Sequence, residues 1–268
     1  MNINGLLYCA RYAFPPNSLG YCGPSKQVDL KEYTTKTVAD KGLVNILSRF
    51  ETLYPYLTLI AYENNIKDPF DLRVVEAYWL GNALLTKITQ KQMYAHFAEA
   101  LSLKKKLKPK NFEWLIGKIP QGSLPTHSFH VLNVFTRTGH HATDHTVETM
   151  DNCRIGWGRI IKNLKFKIKN VQSVDVETQP LILANGKLAL GKPIIKTLSS
   201  SRGLRCTSED VAIPKRLLQS LRSFAMTNKS PTYISFHWNH VCDVLTLRQV
   251  RNLQRYTQIA IDLANTTI

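Results

Sequence analysis

The sequence has no close pair of cysteines. Its five, at positions 9, 22, 153, 206 and 242, are an odd number with no C-x-x-C step, so neither a zinc ribbon nor a disulfide framework is indicated. Any cysteine chemistry is then that of a free thiolate. Long apolar runs are also missing. Nothing approaches a membrane span, and the opening stretch from Met1 to Arg11 has neither a basic leader nor the apolar core of a secretory signal. A soluble cytoplasmic protein with no membrane partner is expected. Acidic residues are scarce, 19 against 35 Lys+Arg, for a formal net charge of +16. That surplus favours acidic partners or nucleic acid through long-range attraction and says nothing about fold. There is no Ser-His-Asp order, phosphate-cradling glycine loop, H-E-x-x-H or dinucleotide fingerprint, so the standard hydrolase, kinase and dehydrogenase readings lack support.

What is present is ordinary globular composition, 44% hydrophobic and 20% charged over 268 residues, enough for one large domain or two modest ones. From 43 to 63 apolar residues recur at three- and four-residue steps, which predicts an amphipathic helix kinked or divided at Pro55. Asp68-Pro69-Phe70-Asp71 reads as a cap and first turn for a second helix carrying Leu72, Val75, Trp79 and Leu85. Met93, Phe97 and Leu101 keep the helical period, and 146–150 reads as another turn or two. Within this mainly α region, 128–136 reads as a strand. The segment from Tyr8 to Pro24, dense in proline, glycine and aromatics, reads as an irregular but ordered loop.

After Cys153 the period changes from helical to two-residue alternation. Leu164, Phe166 and Ile168 alternate with lysines, Val174 and Val176 continue the pattern, and Asn185-Gly186 predicts a hairpin over 181–190. Residues 199–210 read as a loop, 214–226 as a short helix and Tyr233 to Trp238 as a strand. Thr246 and Gln249 form a capping box for a final helix packed on a small barrel or sheet. The fold class is α+β, with a mainly helical region over 1–150 and a separately folded β-rich unit over 151–268.

In the strand from Tyr233 the alternation puts Ile234, Phe236 and Trp238 on one face and Ser235 and His237 on the other, so His237 faces away from the apolar core. An isolated histidine there is an exposed or capping residue. This one is followed by His240, Cys242 and Asp243, all competent metal ligands. A second group, His127, His130, His140, His141 and His145, has no standard ligand spacing. It reads as structural, with a zinc or iron site or an interface as the functional alternative. Cys22 is either a reactive thiol or buried packing. The lysines at 104, 105, 106, 108 and 110, and at 162, 165, 167 and 169, read as solvated faces rather than a nucleic-acid strip.

The run from Cys153 through Gly158-Arg159-Ile160, and later Tyr233 to His237 followed by the helix from Thr246, resembles the HypC-type hydrogenase-maturation chaperones. These begin with a cysteine, reach a Gly-basic-aliphatic step five residues on, and run through a compact barrel into a terminal helix. The resemblance implies an OB-like β-barrel with a C-terminal helix. It further implies that Cys153 and His237 hold an iron fragment carrying cyanide and carbon monoxide, with a maturation factor or hydrogenase large subunit as partner. This sequence departs from that pattern in three ways: its cysteine is internal, Trp157 replaces a proline, and 199–231 is a longer insertion. The whole chain, with Ala10 to Asn17 and Leu19 to Pro24, also resembles an uncharacterised bacterial family linked to hydrogenase genes.

The expected function is thus a non-catalytic metallocentre carrier, with Arg154 and Arg159 favouring the Cys153 thiolate and the basic surface docking an acidic partner. The alternatives are a thiol- or metal-dependent enzyme with its site at the junction of the two regions, and a basic nucleic-acid-binding module.

Overall fold

The computed structural model of the protein describes residues 2–24, 30–36, 38–135, 146–161, 173–199 and 231–268. The α+β class holds. The expected alternating strand at 164–168, the helix at 214–226, and His140, His141, His145 and Cys206 lie outside the described residues.

The first element is a correction. The stretch read as a loop from Tyr8 is a helix, Ile3–Ser18, capped by the Asn2 side chain, with Pro15 and Pro16 in its last turns. Only Leu19 to Pro24 leave the helix. The Pro15 and Pro16 carbonyls still accept from the Leu19 and Tyr21 amides, so the prolines sit where they end a helix rather than prevent one.

The predicted helix over 43–63 is two helices, Lys41–Ser48 and Leu53–Glu63. The break falls at 49–52, and Pro55 lies in the first turn of the second helix, where a missing N–H is tolerated. Asp71, not Asp68, caps Leu72–Trp79, while Asp68 accepts from the amides of Phe70 and Asn2. That helix ends at Gly81, whose φ of +82° and packing under the Tyr256 ring leave no room for a side chain.

The strand expected over 128–136 is helical instead. Thr126 caps a turn at His127–Phe129 that runs on as a π-helical segment, His130–Phe135. The reason is tertiary. Ser128 and Asn133 bond to Thr257 and to the Ala260 carbonyl of the last helix at 3.2 and 3.0 Å, partners that a short apolar run does not announce.

Among the described residues seven strands follow: β1 (Gly156–Ile160), β2 (Ser173–Thr178), β3 (Leu181–Ala184), β4 (Lys187–Leu190), β5 (Ile194–Ser199), β6 (Tyr233–His237) and β7 (His240–Leu245). Strands β3 and β4 form the predicted hairpin over Asn185-Gly186, both residues at positive φ. The other five run in the order β1-β2-β5-β7-β6, with β6 paired back to β1. This is the Greek-key arrangement expected of an OB-like sheet. All pairs are antiparallel except β5 with β7, which meet at one parallel pair, Ser199 with His240. The sheet is therefore curled and partly open at that seam rather than evenly laddered all round.

Inside the curl, Ile160, Val174, Val176, Leu198, Ile234 and Phe236 form their own apolar cluster. The other core runs through the helical region, takes in Trp157 and Cys242 from the strands, and continues along the last helix, Leu247–Ala264. That helix has both bonds of the predicted capping box. It packs chiefly on the helical side rather than on the curled sheet. Asn252 and Tyr256 donate to the carbonyls of Gly81 and Asn82, and Gln249 to Glu76.

Candidate metal centre at the junction

Three elements converge where the helical region meets β6. His127 opens its short helix, Cys153 ends the helix Val147–Cys153, and His237 is the last residue of β6. The turn after β6 locks them together. Trp238 and Asn239 both have positive φ, 49° and 63°, unusual for a residue as bulky as tryptophan, and the Trp238 amide donates to the Asn152 carbonyl at 2.8 Å. The end of β6 is thereby tied to the end of the Cys153 helix. One candidate ligand atom from each of His127, Cys153 and His237 then lies within 4.8 Å of the others. Tetrahedral ligands about 2.0–2.3 Å from a metal would stand roughly 3.3–3.8 Å apart, so a closure of about an ångström suffices.

His237 faces away from the sheet's apolar interior, as the alternation predicted, but it is fully buried against the N-terminal helix rather than exposed. Its Nδ1 lies 2.8 Å from the Tyr12 carbonyl, an acceptor, so Nδ1 carries the proton and Nε2 keeps a bare lone pair. That Nε2 is buried without a hydrogen-bond partner; the Cys153 carbonyl also faces the ring but makes no bond of proper geometry to it. A ring nitrogen held by a backbone carbonyl with the other nitrogen bare is the usual posture of a metal-ligating histidine. His127 donates from Nε2 to the Cys153 carbonyl at 2.9 Å, and its Nδ1 takes the Tyr78 hydroxyl at 3.1 Å. Ligation through Nδ1 would displace that hydroxyl.

Burial sets the protonation states. Desolvation holds His127 down to about 3, with His130 adding to the fall, and pushes His237 well below the usual histidine value. Both imidazoles are neutral at pH 7 and need lose no proton to bind a cation. Burial pushes the Cys153 thiol up to about 12, offset a little by the Trp238 indole, whose N–H makes no well-formed bond of its own. The expected help from arginine is absent. Arg154 is buried against Asp151 at 2.7 Å and the Gln179 carbonyl, and Arg159 pairs with Glu177 on the surface.

The three residues face a cavity of about 40 Å³, room for an ion with a water molecule or two. Cys22, Tyr78, Trp79, His130 and Trp238 share its wall. Of the other sequence candidates, His240, Cys242 and Asp243 lie apart from the centre. His240 donates to the Trp238 carbonyl at 2.9 Å and meets Phe14 edge-on, and the Cys242 thiol is spent on the His240 carbonyl in the core. Asp243 faces Arg11 at 3.6 Å. His130 lines the cavity with Nδ1 3.3 Å from the Tyr56 hydroxyl. Adjacency in sequence misled here, because His240 and Cys242 belong to the next strand after a tight reversal. The positioning roles of Tyr12, Tyr78 and Trp238 have no sequence signal.

Away from the centre, the exposed run at Lys104–Lys106, Lys108 and Lys110 is a solvated face, with Lys110 lying over the Trp114 ring at 4.8 Å. Among the described residues no helix is long and apolar enough to cross a membrane. No curated protein and no solved structure matches the chain. The resemblance of its C-terminal part to the HypC type therefore rests on the residues quoted for it. A family match spans residues 1–268, and the chain belongs to that family, DUF6390, whose function is unknown.

Proposed function

We propose that the protein is a metallocentre carrier, holding one iron centre as cargo through Cys153 and His237, with His127 as a third donor, and passing it to an acidic partner. The observation that carries this reading is the bare, buried His237 Nε2 beside a thiol and a second neutral imidazole. An unsatisfied buried nitrogen costs about 1–3 kcal/mol, which a bound cation would recover. The donor set fits: one soft sulfur and borderline nitrogens suit iron or zinc, and the imidazoles are already deprotonated. With Cys153 protonated until a cation arrives, binding expels its proton, so affinity rises with pH below the thiol pKa of about 12.

The same thiol weighs against the thiol-enzyme alternative, since catalytic cysteines have lowered pKa values. The HypC-type resemblance supplies the finer form of the proposal: a cytoplasmic factor, iron bearing cyanide and carbon monoxide, and a maturation factor or hydrogenase large subunit as recipient. The test is anaerobic co-purification with such partners, followed by metal analysis and infrared spectra. Cys153→Ala and His237→Ala should lose the metal and any cyanide and carbonyl bands, while His240→Gln keeps them. Metal content that is nil in the wild type, or equal in all four proteins, overturns the carrier reading. Bound metal without diatomic bands overturns only the iron-fragment form.

A further inference from the structure

Cys22 occupies the same cavity from a different part of the chain. It follows the N-terminal helix in the loop of residues 19–24, and its backbone is pinned, with Asn17 donating from Nδ2 to the carbonyls of Cys22 and Pro24, each at 2.9 Å. Gly20 and Gly23, at φ of 76° and 82°, supply the left-handed turns, and Gly23 lies against the Phe50 ring, which also lines the cavity. On the other side the Tyr21 ring packs on Trp238 at 4.4 Å. The loop thus lies over the centre, joined to the turn that positions His237. Cys22 and Cys153 both line the cavity, and burial raises the Cys22 thiol pKa, with the Cys153 thiol adding to the rise.

Charge decides what such a cavity can hold. Among the described residues lining it there is no carboxylate. A divalent cation held by Cys153 and two neutral imidazoles keeps one uncompensated positive charge in an apolar enclosure, which desolvation strongly disfavours. A second anionic donor removes that excess. An imidazole such as that of His130 supplies no negative charge, and Tyr78 offers a hard oxygen already bonded to His127. Cys22 alone in the wall offers a second thiolate. Four donors of the type Cys₂His₂ also complete a tetrahedral shell, the closed arrangement for zinc and for iron bound by thiolates. The cavity volume, about 40 Å³, has room for a bare ion.

We infer that Cys22 is the fourth ligand of a bare divalent cation at this centre, delivered by the 19–24 loop to join His127, Cys153 and His237. Resting on the carrier reading, this inference adds a neutral, closed form of the centre. Cys22 lies outside the three-residue group, so its side chain must turn inward on binding, and its release opens one coordination position for a recipient's ligand.

The test loads the full-length protein with Co²⁺ or Zn²⁺ alone. X-ray absorption on the zinc-loaded wild type should count two sulfurs at about 2.3 Å and two nitrogens at about 2.0–2.1 Å. The Co²⁺ form should show tetrahedral visible bands, and Cys22→Ser should lose about half of the sulfur-to-cobalt charge-transfer intensity. Its affinity should fall by more than the roughly 10–100-fold that loss of an outer-sphere partner costs. One sulfur in the wild-type shell, or an unchanged spectrum and affinity in Cys22→Ser, overturns the role of Cys22 and leaves the carrier reading standing. Absence of metal binding by the wild type overturns both. The wild-type sulfur count decides the matter even if Cys22→Ser does not fold.

Discussion

The interior of the curled sheet is fully buried and the junction beside it largely so, with Cys22 and Cys153 half-buried, yet the two are built from opposite materials. The first is aliphatic and aromatic throughout, Ile160, Val174, Val176, Leu198, Ile234 and Phe236. The second gathers His127, His237 and Cys153 around a cavity, with Tyr12 and Ser235 hydrogen-bonded beside them and buried polar atoms left without partners at His237 Nε2 and Trp238 Nε1. A single strand supplies both: β6 turns Ile234 and Phe236 inward and Ser235 and His237 towards the N-terminal helix. Stability alone would favour the first kind of packing on both faces. At the junction, unsatisfied polar groups, a bulky residue in a left-handed turn and perturbed imidazoles meet at the proposed centre.

The comparison predicts different failures. The largest effect belongs to the sheet interior. Phe236→Ala should cost about 3–5 kcal/mol in denaturant unfolding, because its ring fills the space over Gly156, where even a Cβ would lie 2.2 Å from it. A loss under 1 kcal/mol would mean that the curled sheet contributes little to global stability.

Acid should strike the helical side and the junction. His96, packed on Tyr56 in the helical region, and His127 at the junction are held near 3 in the fold by burial, against about 6.5 in an unfolded chain. Between those values the unfolded chain binds a proton that the native one does not. Stability is therefore full above about pH 6.5 and falls as pH drops towards 3, by about 2 kcal/mol per histidine at pH 5. Urea midpoints at pH 7 and pH 5 measure this directly; equal midpoints would show that these imidazoles are hydrated.

Tyr12→Phe removes the hydroxyl bonded at 2.7 Å to Ser235, both groups buried, and should cost about 1–2 kcal/mol. The smallest change is the most telling. His237→Leu loses the bond to the Tyr12 carbonyl but also removes an unsatisfied nitrogen, so apo-protein stability should stay within about 1 kcal/mol of the wild type or rise slightly. Metal affinity should vanish in the same variant. Destabilisation of 3 kcal/mol or more would make His237 a structural residue and erase the contrast between the two regions.

Periodicity and capping chemistry made much of the scaffold legible. The α+β class, the Asn185-Gly186 hairpin, β6, the boxed cap at Thr246 and the helix at 147–153 all rest on signals spanning a few neighbouring residues, and local steric and hydrogen-bonding rules suffice for them. Where the deciding partner lies far along the chain, local signals failed. Residues 128–135 are helical because Thr257 and Ala260 face them, and the last helix packs on the helical side because Gly81, Asn82 and Glu76 meet it there.

The site divides in the same way. The two-residue alternation was enough to set His237 on the face away from the sheet's apolar interior, while its pairing with Cys153 came from the HypC-type resemblance. Only the tertiary structure joined His127 to them, set His240 and Cys242 apart and put Cys22 on the cavity wall. Ligand geometry depends on where three elements of different sequence position end, here a helix start, a helix end and a strand end tied by the Trp238 amide to Asn152, and no spacing in the sequence encodes that meeting. Protonation followed the same rule, because burial, a property of the whole fold, is the leading cause of the Cys153 and His237 pKa shifts, while Arg154 and Arg159 are bonded elsewhere.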